Sequence, residues 1–276
     1  MARAPEALSA SQLQLYLTCS LKYRFQYVDR LPRLDTTANQ VVGIAIHAAL
    51  NWLHKEKKRG RMPPLTEVLQ IFEADWYAQT ETDSKLNVLF EDPADRLLLL
   101  HKGKELLAQY YHQGVGAVHD SELHFTLPLV NPSTGEVLDI PIRGVVDLIE
   151  EDGAVVEFKA PQKAPPITDL AENIQLTTYS YAYEKLFGRP PKEIRKVSLV
   201  RTKNPRIETQ VTGRDNRDYE RLFHLGREVL KGIRAEVFIP SRGCWLCNDC
   251  EYEPDCREWT GNQDGGGREK PERALP

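Results

Sequence analysis

No apolar run in this chain approaches the roughly 20 residues that a membrane-spanning helix needs. The opening stretch, MARAPEALSASQLQLYL, lacks the charged segment followed by a hydrophobic core that marks a secretory leader. These absences predict a cytoplasmic protein with no membrane association. An excess of positive charge is missing too: 36 Lys and Arg face 40 Asp and Glu, a net charge of −4. That excludes a globally basic, histone-like DNA coat, though not a local basic surface. There is no G-x-x-x-x-G-K-[ST] loop, so any unwinding of nucleic acid falls to another protein. Repeats and Gly/Ser linkers are absent as well. Cysteine is scarce, with five in 276 residues. Structural disulfides are not expected in a reducing compartment. The crowding of Cys244, Cys247, Cys250 and Cys256 into thirteen residues therefore reads first as metal ligation.

The length suits one large domain with a real core. Helical spacing of Leu13, Tyr16, Leu17 and Ser20, with Ser9 or Ser11 as cap, predicts a helix running to about residue 28 and ended by Pro32. Further helices are expected over 41–60, 65–80 and 94–114, with 83–93 as a connection. The character changes near residue 120. Strands are expected over 122–130, 137–151 and 153–160, the last two joined by a turn at EEDG. A helix over 169–188, strands over 196–202 and 206–213 and a helix over 216–237 come next. The Gly-, Pro- and charge-rich end, 260–276, is expected to be disordered. The sum is an α/β core elaborated by N-terminal helices and a C-terminal cysteine segment.

The strongest chemical signal is GVVDLIEEDGAVVEFKA. Side chains alternate along a strand, so Glu157 and Lys159 share a face. If the two strands pair, Asp147 approaches them. Two carboxylates and the main-chain carbonyl of Phe158 make a hard oxygen site suited to Mg²⁺ or Mn²⁺. A lysine beside them can steady an attacking water and offset charge on a phosphoryl group. The bland alternative is a surface hairpin with a weak Glu–Lys pair, and the surrounding motifs decide between the two.

Those motifs, GVVDLI, EFKA, GIAIH and QLTTY, resemble the PD-(D/E)XK nuclease superfamily, in particular its RecB-like and Cas4-like (AddB-like) iron–sulfur exonuclease branch, over about residues 9–259. The resemblance implies a restriction-endonuclease-like core, a mixed central sheet flanked by helices. It places one nuclease domain over 1–259, with a helical part at about 9–115, a catalytic core at about 120–236 and a cysteine segment at 240–259. It implies metal ligation by Asp147, Glu157 and Phe158, with His47 as a further ligand and Lys159 as the catalytic lysine. Gln175 and Tyr179, four apart on one helical face, would line the active site and contact DNA. Glu122 is a candidate accessory acid. The order is unbroken, which argues against a degenerate, purely structural relative.

The cysteines remain open to three readings. Four-thiolate Zn²⁺ is one, and a local cluster on Cys244, Cys247, Cys250 and Cys256 is another. The third, which the resemblance implies, is a [4Fe–4S] cluster on Cys19, Cys247, Cys250 and Cys256, tying the start of the chain to its end. Local basic surfaces lie at 189–217, with nine basic and three acidic residues, and at 55–61. A third, at 21–33, interleaves Lys22, Arg24, Arg30 and Arg33 with Tyr23, Phe25 and Tyr27. Cations and aromatics together suit single-stranded nucleic acid, although charge runs are commonly solvated faces. The function expected is a metal-dependent DNA exonuclease acting on single strands or DNA ends in repair, phage or CRISPR-type processing. A helicase is a possible partner. The alternative is a non-catalytic iron–sulfur DNA-binding scaffold of a helicase–nuclease or integration complex.

Overall fold

The structure is a computed structural model that describes residues 5–33, 35–81, 86–164, 170–241, 243, 247, 250–259 and 261. Apart from Gly261, the tail expected to be disordered lies outside the described residues, as does Cys244. A six-stranded mixed sheet forms the centre: β1 (Leu8–Ser9), β4 (Val118–Leu127), β5 (Ile142–Glu150), β6 (Val155–Lys159), β7 (Ile194–Val200) and β8 (Arg206–Thr212). β6 and β7 run parallel, joined through helix α6 (Ile174–Phe187), while β4–β5, β5–β6 and β7–β8 are antiparallel. A parallel pair needs such a crossover. Asn173 caps α6 through Leu176 N–H, and Gly188 closes it at φ 69°, a left-handed cap that glycine adopts without a Cβ penalty.

Two helical layers cover the sheet. Helices α3 (Ala38–Lys58), α4 (Leu65–Thr80) and α5 (Asp95–His112) pack on one face, where Trp76, Phe72 and Ile46 meet Leu148, Val156 and Phe158. On the other face α6 sets Leu176, Ala182 and Tyr183 against Val146, Ile149 and Val155. Each such fully buried large side chain contributes about 1.5–3 kcal/mol. A third cluster unites the two ends of the chain: α1 (Ala10–Thr18) and the aromatics after it pack with α7 (Asn216–Arg234) and Tyr252.

Several details depart from the periodicity. The expected long first helix breaks at Cys19, which has extended backbone at φ −156°, and restarts as the short α2 (Ser20–Tyr23) and a π-helical turn, Arg24–Val28. The break aims Cys19 at the C-terminal segment. There Ser20 and Ile239 exchange hydrogen bonds, Tyr16 donates to the Val237 carbonyl, and Lys22 pairs with Glu251 at 2.7 Å. The connection at 83–93 carries β3 (Asn87–Leu89), paired with β2 (Asp35–Thr37), both too short to show a period. The cysteine segment ends in α8 (Glu253–Trp259).

His54 stands in the α3 core, 1% exposed, stacked on Phe158 at 5.4 Å and bonded through Nε2 to the Tyr110 hydroxyl at 2.9 Å. Burial pulls its pKa down to about 3, with Lys57 adding to the shift. The folded pKa lies below the unfolded one, so folding favours the neutral ring. Stability is complete above about pH 6.5 and declines as pH falls toward 3. Between pH 7 and pH 5 this single group should cost about 2 kcal/mol. Urea melts of wild type and His54→Phe at the two pH values should differ by that amount; equal pH dependence would refute it.

Candidate active site

The site exists because β5 divides one edge between two strands. Its C-terminal half pairs with β6 only at Leu148↔Val156 and Ile149↔Val155, and its N-terminal end pairs with β1 at Ile142 and Arg143. Between them β5 and β6 part, and Asp147 sits at the fork. Its Oδ2 accepts the Phe158 N–H at 2.9 Å, so the side chain takes over a bond that the ladder no longer supplies. β5 also turns over here. Leu148 packs into the α3 cluster, yet Val146, of the same parity, packs into the α6 cluster. Across β4, between the Ser121↔Leu148 and Leu123↔Val146 pairs, Glu122 carries φ 51°. A non-glycine residue in that region costs on the order of 1–2 kcal/mol, a strain typical of functional sites.

Glu157 is 2% exposed. Its Oε1 meets Lys159 Nζ at 2.5 Å, and its buried Oε2 has no hydrogen-bond partner. Burial pushes its pKa up to about 8; Lys159 opposes the shift and the like charge of Asp147 reinforces it. His47, on α3, places Nδ1 3.7 Å from Asp147 Oδ2. Burial lowers its pKa, opposed by Asp147, while Lys159 adds to the lowering; Glu122 and the Phe158 carbonyl also favour the charged ring. Gln175 donates to the Tyr179 hydroxyl at 2.8 Å, and burial raises the Tyr179 pKa. Asp147, Gln175 and Tyr179 line one open groove of about 480 Å³ with Glu122, His124 and Arg143.

The arrangement brings His47, Asp147, Glu157, Phe158 and Lys159 to one fork, with Gln175 and Tyr179 on its wall. Among the described residues no three His, Cys, Asp or Glu side chains stand as a ready-made metal group. The donors nevertheless fit a divalent cation. Glu157 has a buried oxygen with no partner, Asp147 stands beside it, and burial keeps His47 inclined to the neutral form that ligates. Gly144, the first residue of GVVD, is explained by packing. A Cβ there would stand 2.7 Å from the Phe125 ring and 3.5 Å from Tyr179.

Cys19, Cys247, Cys250 and Cys256 share the wall of a second cavity, about 240 Å³, with Leu21, Phe25 and Tyr252. Cys247 is exposed and donates to the Ser241 carbonyl; Cys19, Cys250 and Cys256 are half-buried. Thiols lining one apolar pocket are the donor type that suits a soft metal or an iron–sulfur cluster, although among the described residues no three of them stand as a ready-made metal group.

The basic runs are largely neutralised internally. Lys55 pairs with Glu122, Lys58 with Asp120, and Arg61 with Glu56 and Glu67. Arg195 pairs with Glu150 and Glu193, and Arg201 is buried against Asn39. Tyr23 and Phe25 are core residues over the cysteine pocket, and no open platform for bases.

A family model described as the PD-(D/E)XK nuclease superfamily matches residues 7–257. Among solved structures, a crystal structure from Eubacterium rectale, provisionally assigned as an exonuclease, is similar at 12% identity and a TM-score of 0.55. The match covers 89% of this chain and 88% of that one. At that identity the likeness concerns the fold. A structure named SSO0001 matches at 16% identity over 89% of this chain and 92% of that one, with a TM-score of 0.34 too low to carry weight. No curated protein matches. No described helix is long and apolar enough to cross a membrane.

Glu157 is a destabilising group when no cation is bound, because its folded pKa lies far above that of an exposed glutamate. Glu157→Gln should raise the stability of metal-free protein at pH 7 by about 3 kcal/mol. It should also abolish the melting-temperature gain on adding Mg²⁺ or Mn²⁺. A variant less stable than wild type without metal, or one still stabilised by it, would contradict this account.

Proposed function

We infer that this protein, which belongs to the PD-(D/E)XK nuclease superfamily, is a metal-dependent deoxyribonuclease that cleaves phosphodiester bonds at single strands or DNA ends as an exonuclease. We read residues 1–259 as one nuclease domain of the RecB-like and Cas4-like iron–sulfur branch. The observation that carries the reading is the buried, partnerless Oε2 of Glu157 in the fork that also holds Asp147, His47 and Lys159. A protein with no cation to bind there gains nothing from a buried carboxyl whose ionisation is so disfavoured.

His47, Asp147, Glu157 and the Phe158 carbonyl would hold Mg²⁺ or Mn²⁺, which supplies neutralisation of the scissile phosphate and a more acidic water. The protein's own groups do the rest. Asp147, fixed by the Phe158 N–H, cannot swing away from the fork. Lys159, part exposed with its Nζ against Glu157, holds the attacking water by its hydrogen bonds and donates to a non-bridging phosphate oxygen. The attacking water gives up a proton to solvent as its oxygen bonds to phosphorus, the bond to the leaving oxygen breaks, and that oxygen takes a proton from solvent. Gln175 and Tyr179 form the wall that orients the strand.

The four cysteines on the second cavity would hold a [4Fe–4S] cluster. Its effect would be to tie the segment around Cys19 to the segment at Cys250–Cys256, which contacts already join. A helicase or another DNA-processing protein would supply unwound ends. Acid pairing of the basic runs leaves the groove as the place where DNA is engaged.

Protein purified without oxygen should degrade end-labelled single-stranded DNA in Mg²⁺ or Mn²⁺ and not in EDTA. Lys159→Ala should reduce the rate by about 10²- to 10³-fold or more, with the melting curve intact. Full activity in that variant, or none in wild type with any divalent metal, would refute the reading. For the cluster, wild type should carry iron, sulfide and visible charge-transfer absorbance, and Cys19→Ser should lose them. Zinc in place of iron, or absorbance that survives Cys19→Ser, would overturn the assignment.

A further inference from the structure

The groove beyond the fork holds a feature that the hydrolytic chemistry does not use. Arg143 and Val145 alternate along β5 with Gly144 and Val146, and on β4 His124 lies opposite Val145 and Thr126 opposite Arg143. Arg143 and His124 are both exposed, and both line the groove that contains Asp147. Among the described lining residues of that groove, Arg143 is the one cationic side chain of permanent charge. Lys55, Lys58 and Lys159 all face carboxylates, and so does Arg195. The Arg143 side chain has no ion pair and no hydrogen bond with any described residue, its main chain alone being engaged in the ladder.

The spacing is informative. Four residues along a strand advance about 13 Å. The long arginine side chain bridges part of that distance, which matches a phosphate near the scissile one on the same strand. The guanidinium offers a planar fork that binds phosphate oxygens bidentately. The neighbouring β1 edge and the first turn of α1 bring Ser9 and Ser11 to the same groove.

We propose that Arg143, flanked by His124, is a subsite for a non-scissile phosphate of a nucleic-acid strand that enters the groove along β5. The subsite rests on the nuclease reading above and extends it. It sets the register of the strand, placing one phosphodiester at Asp147 and Lys159 by holding another at Arg143. It also gives a net-acidic protein a phosphate contact that no carboxylate competes for.

The test uses full-length protein and a fluorescein-labelled single-stranded oligonucleotide carrying one neutral methylphosphonate, moved through successive positions. In wild type, kcat/KM should fall about 10-fold when the neutral linkage occupies one particular non-scissile position. In Arg143→Ala that position should lose its penalty, and Arg143→Lys should restore part of it. Binding of the unmodified strand by Lys159→Ala in EDTA should show a salt dependence whose logarithmic slope shrinks by about 0.7 when Arg143→Ala is added, the value for one phosphate contact on a single strand. An unchanged slope, or a methylphosphonate profile identical in wild type and Arg143→Ala, would overturn the subsite while leaving the nuclease intact. Wild type that neither cleaves nor binds the strand would overturn both.

Discussion

The parting of β5 from β6 at Asp147 is the constraint on which the rest of this molecule turns. A continuous ladder would bury residues 144–147 between neighbours and leave no room for a ligand. Instead β6 leaves after Val156, β1 takes up the far end of the same edge, and the interval stays open. Asp147 makes the parting tolerable by accepting the Phe158 N–H that would otherwise lack a partner. The left-handed Glu122 on the facing strand lets β5 roll over, so that Val146 serves one core and Leu148 the other. Strand geometry thus brings a carboxylate on β5 and a carboxylate and a lysine on β6 to one point, and the packing of α3 on the sheet adds an imidazole.

A second constraint acts at a distance. β1, which bounds the groove, is only Leu8–Ser9, too short to hold its place by ladder bonds. The helix next to it in the chain anchors it instead. The capping box of Ser9 and Gln12 starts α1 directly from the strand. The break at Cys19 then docks the chain on Val237, Ile239 and Glu251 through the Tyr16, Ser20 and Lys22 contacts. The groove therefore depends on the junction between the two ends of the chain, where Cys19, Cys247, Cys250 and Cys256 line one cavity. A metal or cluster at that junction would act on the site mechanically, by keeping β1 against β5, without needing to exchange electrons.

Much of this was legible from residue order, for identifiable reasons. The long helices and the central strands carry clear periods, and β6, α6 and β7 fall close to where turn residues and Gly188 put them. E-x-K on a strand guarantees that Glu157 and Lys159 share a face, as they do. What stayed hidden depends on tertiary context. β1, β2 and β3 span two or three residues and have no period to read. The break at Cys19 occurs inside a stretch with sound helical spacing, because the extended backbone there is set by docking on Val237, Ile239 and Glu251. The basic runs were the most misleading signal, since charge counted along the chain says nothing of acids brought in from elsewhere. Asp120 and Glu122 neutralise Lys58 and Lys55 across more than sixty positions. Arg143, by contrast, lies in no basic run.

The pairing of those lysines bears on how an acidic protein would handle an acidic polymer. Around the fork stand Glu122, Asp147 and Glu157, with Lys55 and Lys159 already engaged by two of them. Empty of cation, the fork repels phosphate or at best is indifferent to it. Neutralising Glu157 by protonation relieves only part of this, since a neutral carboxyl attracts nothing. On the proposed reading, a divalent ion bound there would reverse the sign where the scissile phosphate would sit, while the rim would contribute a standing positive charge at Arg143. Affinity for the reacting group would then be conditional on the metal, and affinity for the rest of the strand would not. A site built this way can hold a strand before it is loaded for chemistry, so that register is set by the rim and cutting is licensed by the ion.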